Sequence, residues 1–215
     1  MIRKFVYIMP LILTLSFTVP ANVNGAKAAT ILKKVSAVYK KYKTMKSTFT
    51  IKSTDRNDKS TKSSGTLWLK GPKFKLDYAG QIIYCDGKHT WTYNPTDKEV
   101  TKEKYKKKKG SISPSDIFSV YKKDFKNAYS GNSKVSGVNN YVIKMVPKKR
   151  RNYSYLKLYV NQKTNKISKL SQYYKNGSTM SVVVIKFVPN PKVTDAYFEW
   201  NAGKNKDVEL VDLSN

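Results

Sequence analysis

His89 is the chain's one histidine and Cys85 its one cysteine, and they stand four residues apart beside an Asp86-Gly87-Lys88 turn. A nucleophile-and-base pair or a metal site needs a third orienting or ligating group at workable spacing. The 14 acidic residues do not supply one: they are scattered, often in turns such as Asp55, Asp58 and Asp86. No paired carboxylates for general acid–base work can be argued, and no glycine-rich phosphate cradle is present. His89 therefore reads as a hairpin residue, and the sequence predicts a protein that is not an enzyme, with no metal and no cofactor. A single cysteine also allows no internal disulfide.

The residue types in excess are lysine and aromatics. The formal charge is +28, with 16 tyrosines. Such a field favours anionic partners, and exported polyanion binding to an acidic glycan or lipopolysaccharide is one reading. Most lysines, however, alternate with apolar residues, the pattern of a solvated sheet face. The aromatics that alternate most cleanly are Phe74, Leu76 and Tyr78 between Lys73, Lys75 and Asp77, and Trp91 and Tyr93 beyond the turn. Apolar residues at every second position line one face of a strand, so these are candidate lining for a greasy surface.

The elements that would position them begin after an export signal. Met1-Ile2-Arg3-Lys4 is a short basic start, Phe5 to Val19 is apolar, and Val23-Asn24-Gly25 offers small residues for cleavage after Gly25. The run falls short of the roughly 20 residues a spanning helix needs. With no cysteine near the cut to carry a lipid, the mature protein is expected to be exported and free in solution. Losing Arg3 and Lys4 takes the charge from +28 to +26. Residues 26–215 are expected to form one domain.

From Ala28 to Lys43, Ile31, Leu32, Val35, Val38, Tyr39 and Tyr42 make a helical stripe, with Lys33, Lys34, Lys40 and Lys41 on the wet side. Strand alternation follows, with breaks at 55–58, Gly71-Pro72, Asp86-Gly87 and 94–97. Ser113-Pro114-Ser115-Asp116 reads as a helix start, with Ile117, Phe118 and Tyr121 on the helix and Phe125 continuing it. Strands resume at 141–146, 153–160, 167–174 and 180–188. Two helices cannot cover a flat sheet of about ten strands, so a bent sheet with helices on its concave side is expected.

Ser64-Gly65-Thr66-Leu67-Trp68-Leu69-Lys70-Gly71-Pro72, then Asp86-Gly87-Lys88-His89-Thr90-Trp91-Thr92-Tyr93-Asn94-Pro95, resembles the central signature of the outer-membrane lipoprotein carrier (LolA) family. That resemblance implies an α+β fold: an incomplete antiparallel β-barrel of about 10–11 strands, with an N-terminal helix and a helical lid on its concave side. It implies a monomeric periplasmic carrier, with a hydrophobic cavity that takes acylated lipoproteins from an inner-membrane lipoprotein-releasing ABC transporter to an outer-membrane acceptor. Nucleic acid is not an expected partner. With the family's inward-facing positions, the expected lining is Trp68, Phe74, Leu76, Tyr78, Trp91, Tyr93, Ile117, Phe118 and Tyr121, although Leu67 and Leu69 are apolar on the face opposite Trp68. Gly71 stands where the family often has an arginine thought to latch the lid, and Lys70 and Lys73 are the nearest substitutes. The same fold could instead serve a lipid-sensing or envelope-stress-sensing module.

Overall fold

The structure is a computed structural model and describes residues 21–106, 124–204 and 206–214. Helix α1 spans Ala21–Tyr39. Its buried residues are Ala28, Ile31, Leu32, Val35 and Tyr39, a stripe at the spacing of one helical face, while Lys33, Lys34 and Lys40 are exposed. The helix ends four residues earlier than the stripe in the sequence suggests, and Tyr42 continues that apolar line from the following turn.

Twelve strands follow: β1 (Thr44–Thr54), β2 (Ser60–Lys70), β3 (Lys73–Tyr78), β4 (Gln81–Cys85), β5 (His89–Asn94), β6 (Glu99–Lys104), β7 (Phe125–Val135), β8 (Val138–Pro147), β9 (Tyr153–Asn161), β10 (Ile167–Tyr174), β11 (Thr179–Pro189) and β12 (Glu209–Asp212). They form one open sheet in the order β12-β6-β5-β4-β3-β2-β1-β11-β10-β9-β8-β7. Two antiparallel meanders, β1–β6 and β7–β11, thus meet at a single seam where β1 pairs β11, from Met45↔Pro189 to Thr54↔Thr179. β12 alone runs parallel to its neighbour, β6.

Two strands were not foreseen in the sequence. Phe125, expected to continue a helix, is the first residue of β7, and β12 adds four residues at the far edge. The helical segment that would carry Ile117, Phe118 and Tyr121 lies outside the described residues.

Helix α1 covers one side of the β7–β11 half. Its stripe packs on Phe125, Ile143, Met145, Tyr153, Leu156, Leu158, Val160 and Ile167. Period two in the strands decides this: Leu156, Leu158 and Val160 point to the helix and are fully buried, while Tyr155, Lys157 and Tyr159 point away. An aromatic cluster of Tyr39, Tyr42 and Phe187, with ring centroids 5.5–6.1 Å apart, fixes the end of α1 beside the seam.

A polar contact locks the same place. The β9–β10 register shifts between Ile167 and Lys169, and the Ile167 N–H donates to the Tyr39 hydroxyl at 3.0 Å. Burial pushes the Tyr39 phenol far up, so it stays a neutral acceptor. Tyr39→Phe would strand that buried N–H, at a cost of about 1–3 kcal/mol. The expected readout is a lower urea midpoint with an unchanged slope; a midpoint equal to the parent's would mean the contact contributes nothing.

Candidate functional site: the apolar face beyond the helix

The side of the sheet that bears α1 continues past the seam without a break in parity. In register, Ile143 faces Leu158, Leu158 faces Leu170, Leu170 faces Val182 and Val182 faces Ile51. Beyond them Phe49 pairs Gly65, Gly65 pairs Tyr78, Leu67 pairs Leu76 and Leu76 pairs Ile83. A second cluster forms here from Phe49, Leu67, Leu69, Phe74 and Cys85, with Met45 shared between the two clusters.

This second cluster differs in kind from the first. Around its five buried members stand Ile51, Leu76, Tyr78, Ile83, Tyr105 and Val182, all only half-buried. α1 does not reach them, and the buried members of this cluster all come from strands. The row turns polar at Thr90 and Thr92 of β5, which pair Cys85 and Ile83. An apolar surface four to five strands wide is thus bounded by the helix on one side and threonines on the other. A groove of about 420 Å³ lies elsewhere, lined by Ala29, Leu32, Lys33 and Asn127.

Gly65 is what allows the row to pack. A Cβ there would lie 2.6 Å from the Asp77 carbonyl oxygen and 2.7 Å from the Phe49 ring. The ring lies over the glycine and stands 6.3 Å from that of Tyr78, whose hydroxyl accepts from Ser63 at 3.2 Å. Gly65→Ala must push the ring and the β3 backbone aside, with an expected loss of about 1–3 kcal/mol in denaturation midpoint analysis. A variant as stable as the parent would show that Phe49 moves freely.

The sequence-predicted residues divide between the two faces. Phe74, Leu76 and Tyr78 lie on the helix-bearing face. Trp68, Trp91 and Tyr93 do not join them, because Trp68 pairs Lys75, Lys75 pairs Tyr84 and Tyr84 pairs Trp91, all on the opposite side. There the aromatics hold the C-terminal segment. Tyr197 of a short 3-10 turn (Asp195–Phe198) packs on Trp68 at 5.0 Å, and Trp200 on Tyr93 at 4.6 Å and Tyr84 at 5.8 Å. Lys75 lies over both Tyr84 and Tyr197, at 4.7 and 4.6 Å. Burial there holds its ammonium below the usual lysine range, against the opposing pull of Asp77. Ile117, Phe118 and Tyr121 lie outside the described residues. The row members not foreseen as lining are Phe49, Ile51, Ile83, Val182 and the two leucines flanking Trp68; alternation in β2 carried the signal for Leu67 and Leu69.

Lys70 and Lys73 are likewise on the opposite side, where both engage Asp195, at 2.7 and 3.4 Å. Both bind the C-terminal segment; the lid helix that either was expected to latch lies outside the described residues. Gly71 between them has φ +58°, a left-handed conformation that favours glycine at the tip of this two-residue turn. His89 and Cys85 also have structural employment. The Asp86 carboxylate accepts from the Lys88 and His89 N–H groups, at 2.7 and 2.6 Å, and closes the hairpin. Burial pushes the Cys85 thiol up, away from the reactive thiolate. Among the described residues no cluster of metal-ligating side chains occurs, and no helix is long and apolar enough to cross a membrane.

With this geometry in place, the comparisons are direct. Residues 40–201 match the profile of the family described as outer membrane lipoprotein carrier protein LolA. The chain belongs to the LolA family. No curated protein matches it. Among solved structures it is similar to an uncharacterized conserved protein from Thermus thermophilus, with 10 % identity and a TM-score of 0.59 over 86 % of this chain and 99 % of that one. It is also similar to MucB, at 15 % identity and TM-score 0.51, over 86 % of this chain and 66 % of that one. MucB is known from Pseudomonas aeruginosa in a complex with MucA. A LolA superfamily protein from Nitrosomonas europaea matches at 13 % identity and TM-score 0.44, over 80 % of this chain and 97 % of that one. At these identities the likeness to the first two speaks to the fold alone, which among the described residues is mostly β, with one N-terminal α-helix and an unclosed sheet.

Proposed function

We propose that this LolA-family chain is an exported carrier that shields lipoprotein acyl chains on the half-buried row of β1–β4 and β11. It would be cleaved after Gly25, receive acylated lipoproteins from an inner-membrane ABC transporter and deliver them to an outer-membrane acceptor. The observation that supports this most is the apolar row itself. Leu76, Tyr78, Ile83 and Val182, half-buried around the buried Phe49 and Phe74, continue the surface that α1 covers elsewhere, yet α1 contributes no residue to their cluster. Sequences ordinarily blunt such a surface with polar residues or bury it, and a contiguous apolar patch marks a binding site.

The energetics favour a carrier over free diffusion. Each CH₂ shielded from water contributes about 0.8 kcal/mol, so a lipoprotein with on the order of forty methylenes cannot cross an aqueous gap unaided. The half-burial of the row fits release as well as capture, since a surface of rings and branched side chains exchanges one apolar neighbour for another.

Spheroplasts retaining newly made lipoproteins test the reading. Purified protein should bring them into the soluble fraction as one-to-one complexes visible by native mass spectrometry. If lipoproteins remain on the membrane while a known carrier releases them, the proposal fails.

A further inference from the structure

The charge of this protein is unevenly laid out. The seven neighbouring strands β7, β8, β9, β10, β11, β1 and β2 contain ten lysines and not one aspartate or glutamate. The acids of the sheet lie in β3, β6 and β12, as Asp77, Glu99, Glu103, Glu209 and Asp212. The side-chain ion pairs among the described residues gather at that end of the sheet, on acids of β12 and of the turns: Asp195 with Lys70 and Lys73, Asp86 with His89, Asp207 with Lys98 and Asp212 with Lys102; of the ten lysines only Lys70, at the end of β2, takes part.

On the face of this acid-free region that points away from α1, lysines stand in register with one another. One row across six strands reads Lys144, Lys157, Ser171, Ser181, Lys52 and Lys62. Lys144 and Lys157 are directly opposite, as are Lys52 and Lys62, an arrangement that like-charge repulsion disfavours. Lys169 occupies the next row. Burial, together with Lys52 and Lys157, holds its ammonium below the usual lysine range. In place of carboxylates the lysines have tyrosines: Lys144 lies 4.7 Å from the Tyr155 ring, Lys157 5.5 Å from Tyr173 and Lys169 5.2 Å from Tyr159. Tyr155 and Tyr173 stack at 4.4 Å.

We propose that this lysine–tyrosine face docks on the anionic phosphate plane of a phospholipid bilayer. An external layer of negative charge would relieve a repulsion that no side chain of the region offsets. The layout favours a plane over a strand of polyanion. The lysine row crosses five strand spacings of about 4.8 Å, and further lysines lie along the strands, so the charge spreads in two dimensions rather than along one groove. Tyrosine suits the boundary between headgroups and hydrocarbon, with an apolar ring and a polar tip. The inference is independent of the acyl-carrier reading, because the two use opposite faces of the sheet and the test needs no lipoprotein.

Sedimentation with vesicles decides it. The protein should bind phosphatidylcholine vesicles doped with phosphatidylglycerol, ignore pure phosphatidylcholine, and dissociate when salt shortens the screening length to a few ångströms. Replacing three lysines as K144Q/K157Q/K169Q should lower partitioning about a hundredfold, at roughly fivefold for each charge near the surface. The charge-matched K34Q/K40Q/K41Q, on the helix side, should stay close to the parent, and K144R/K157R/K169R should bind fully, which separates lost charge from lost folding. Equal losses in the two glutamine variants would reduce the effect to net charge and overturn the proposal. So would tighter binding of heparin than of the doped vesicles at this same face, which would assign it to a linear polyanion.

Discussion

Replacing Phe198 with alanine is expected to lower stability by about 3–5 kcal/mol, the range for deleting a fully buried aromatic ring. Phe198 is 0 % exposed, although the 3-10 turn around it sits on the surface of β3. Two kinds of contact hold this C-terminal segment, and their sizes differ. The ion pairs of Asp195 with Lys70 and Lys73 involve a carboxylate that is 57 % exposed, so water and salt screen them and little stability is at stake. The ring of Phe198, with Tyr197 on Trp68 and Trp200 on Tyr93, removes apolar area from water and dominates. Thermal unfolding followed by tryptophan emission should therefore report a large drop for Phe198→Ala and almost none for Asp195→Asn. The reverse order would mean that charge, not the ring, fastens the segment.

Leu76→Lys is expected to abolish acyl capture while leaving a folded protein. Leu76 sits mid-row, paired with Leu67 on one side and Ile83 on the other, and is half-buried, so a lysine there can lift its ammonium to water in the empty protein. With hydrocarbon seated over the row the ammonium is trapped. A lysine in such surroundings costs about 2.5–3.5 kcal/mol, which is on the order of a hundredfold in affinity. Soluble lipoprotein in the spheroplast assay should fall accordingly, with far-UV circular dichroism unchanged and Leu76→Met close to the parent. Full activity of Leu76→Lys would place the acyl chains elsewhere.

What was legible in the sequence followed from local periodicity. The stripe of α1 and the alternation of Phe74, Leu76 and Tyr78 each require one element and no knowledge of its neighbours. The side taken by Trp91 and Tyr93 was not legible in the same way. It depends on the register carried through four strands and a hairpin, and one step of parity moves a whole strand to the other face. Trp68 lay between two leucines, and only the pairing of Leu67 with Leu76 decides which of them points to the helix. Phe125 followed a predicted helix and reads as its continuation, whereas pairing with Pro147 makes it strand. Four-residue β12 has too few alternating positions to signal anything, and its parallel partner β6 is about a hundred residues earlier. The packing of the C-terminal aromatics Tyr197 and Trp200 on the face away from α1 is a tertiary fact that no local pattern carries.

The open sheet leaves two outermost strands among the described residues, and each is ill-suited to recruit another chain. β12 is only four residues long, with Asp212 drawn to Lys102. β7 is long, but its ladder breaks between Tyr129 and Asn132, where Gly131 takes φ +91° and the Tyr129 hydroxyl donates to Asn132 Oδ1 at 2.9 Å. Lys126 and Lys134 flank that kink. A straight row of free amides and carbonyls would template growth of fibrils from copy to copy; a stub on one side and a bent, charged margin on the other deny it that template.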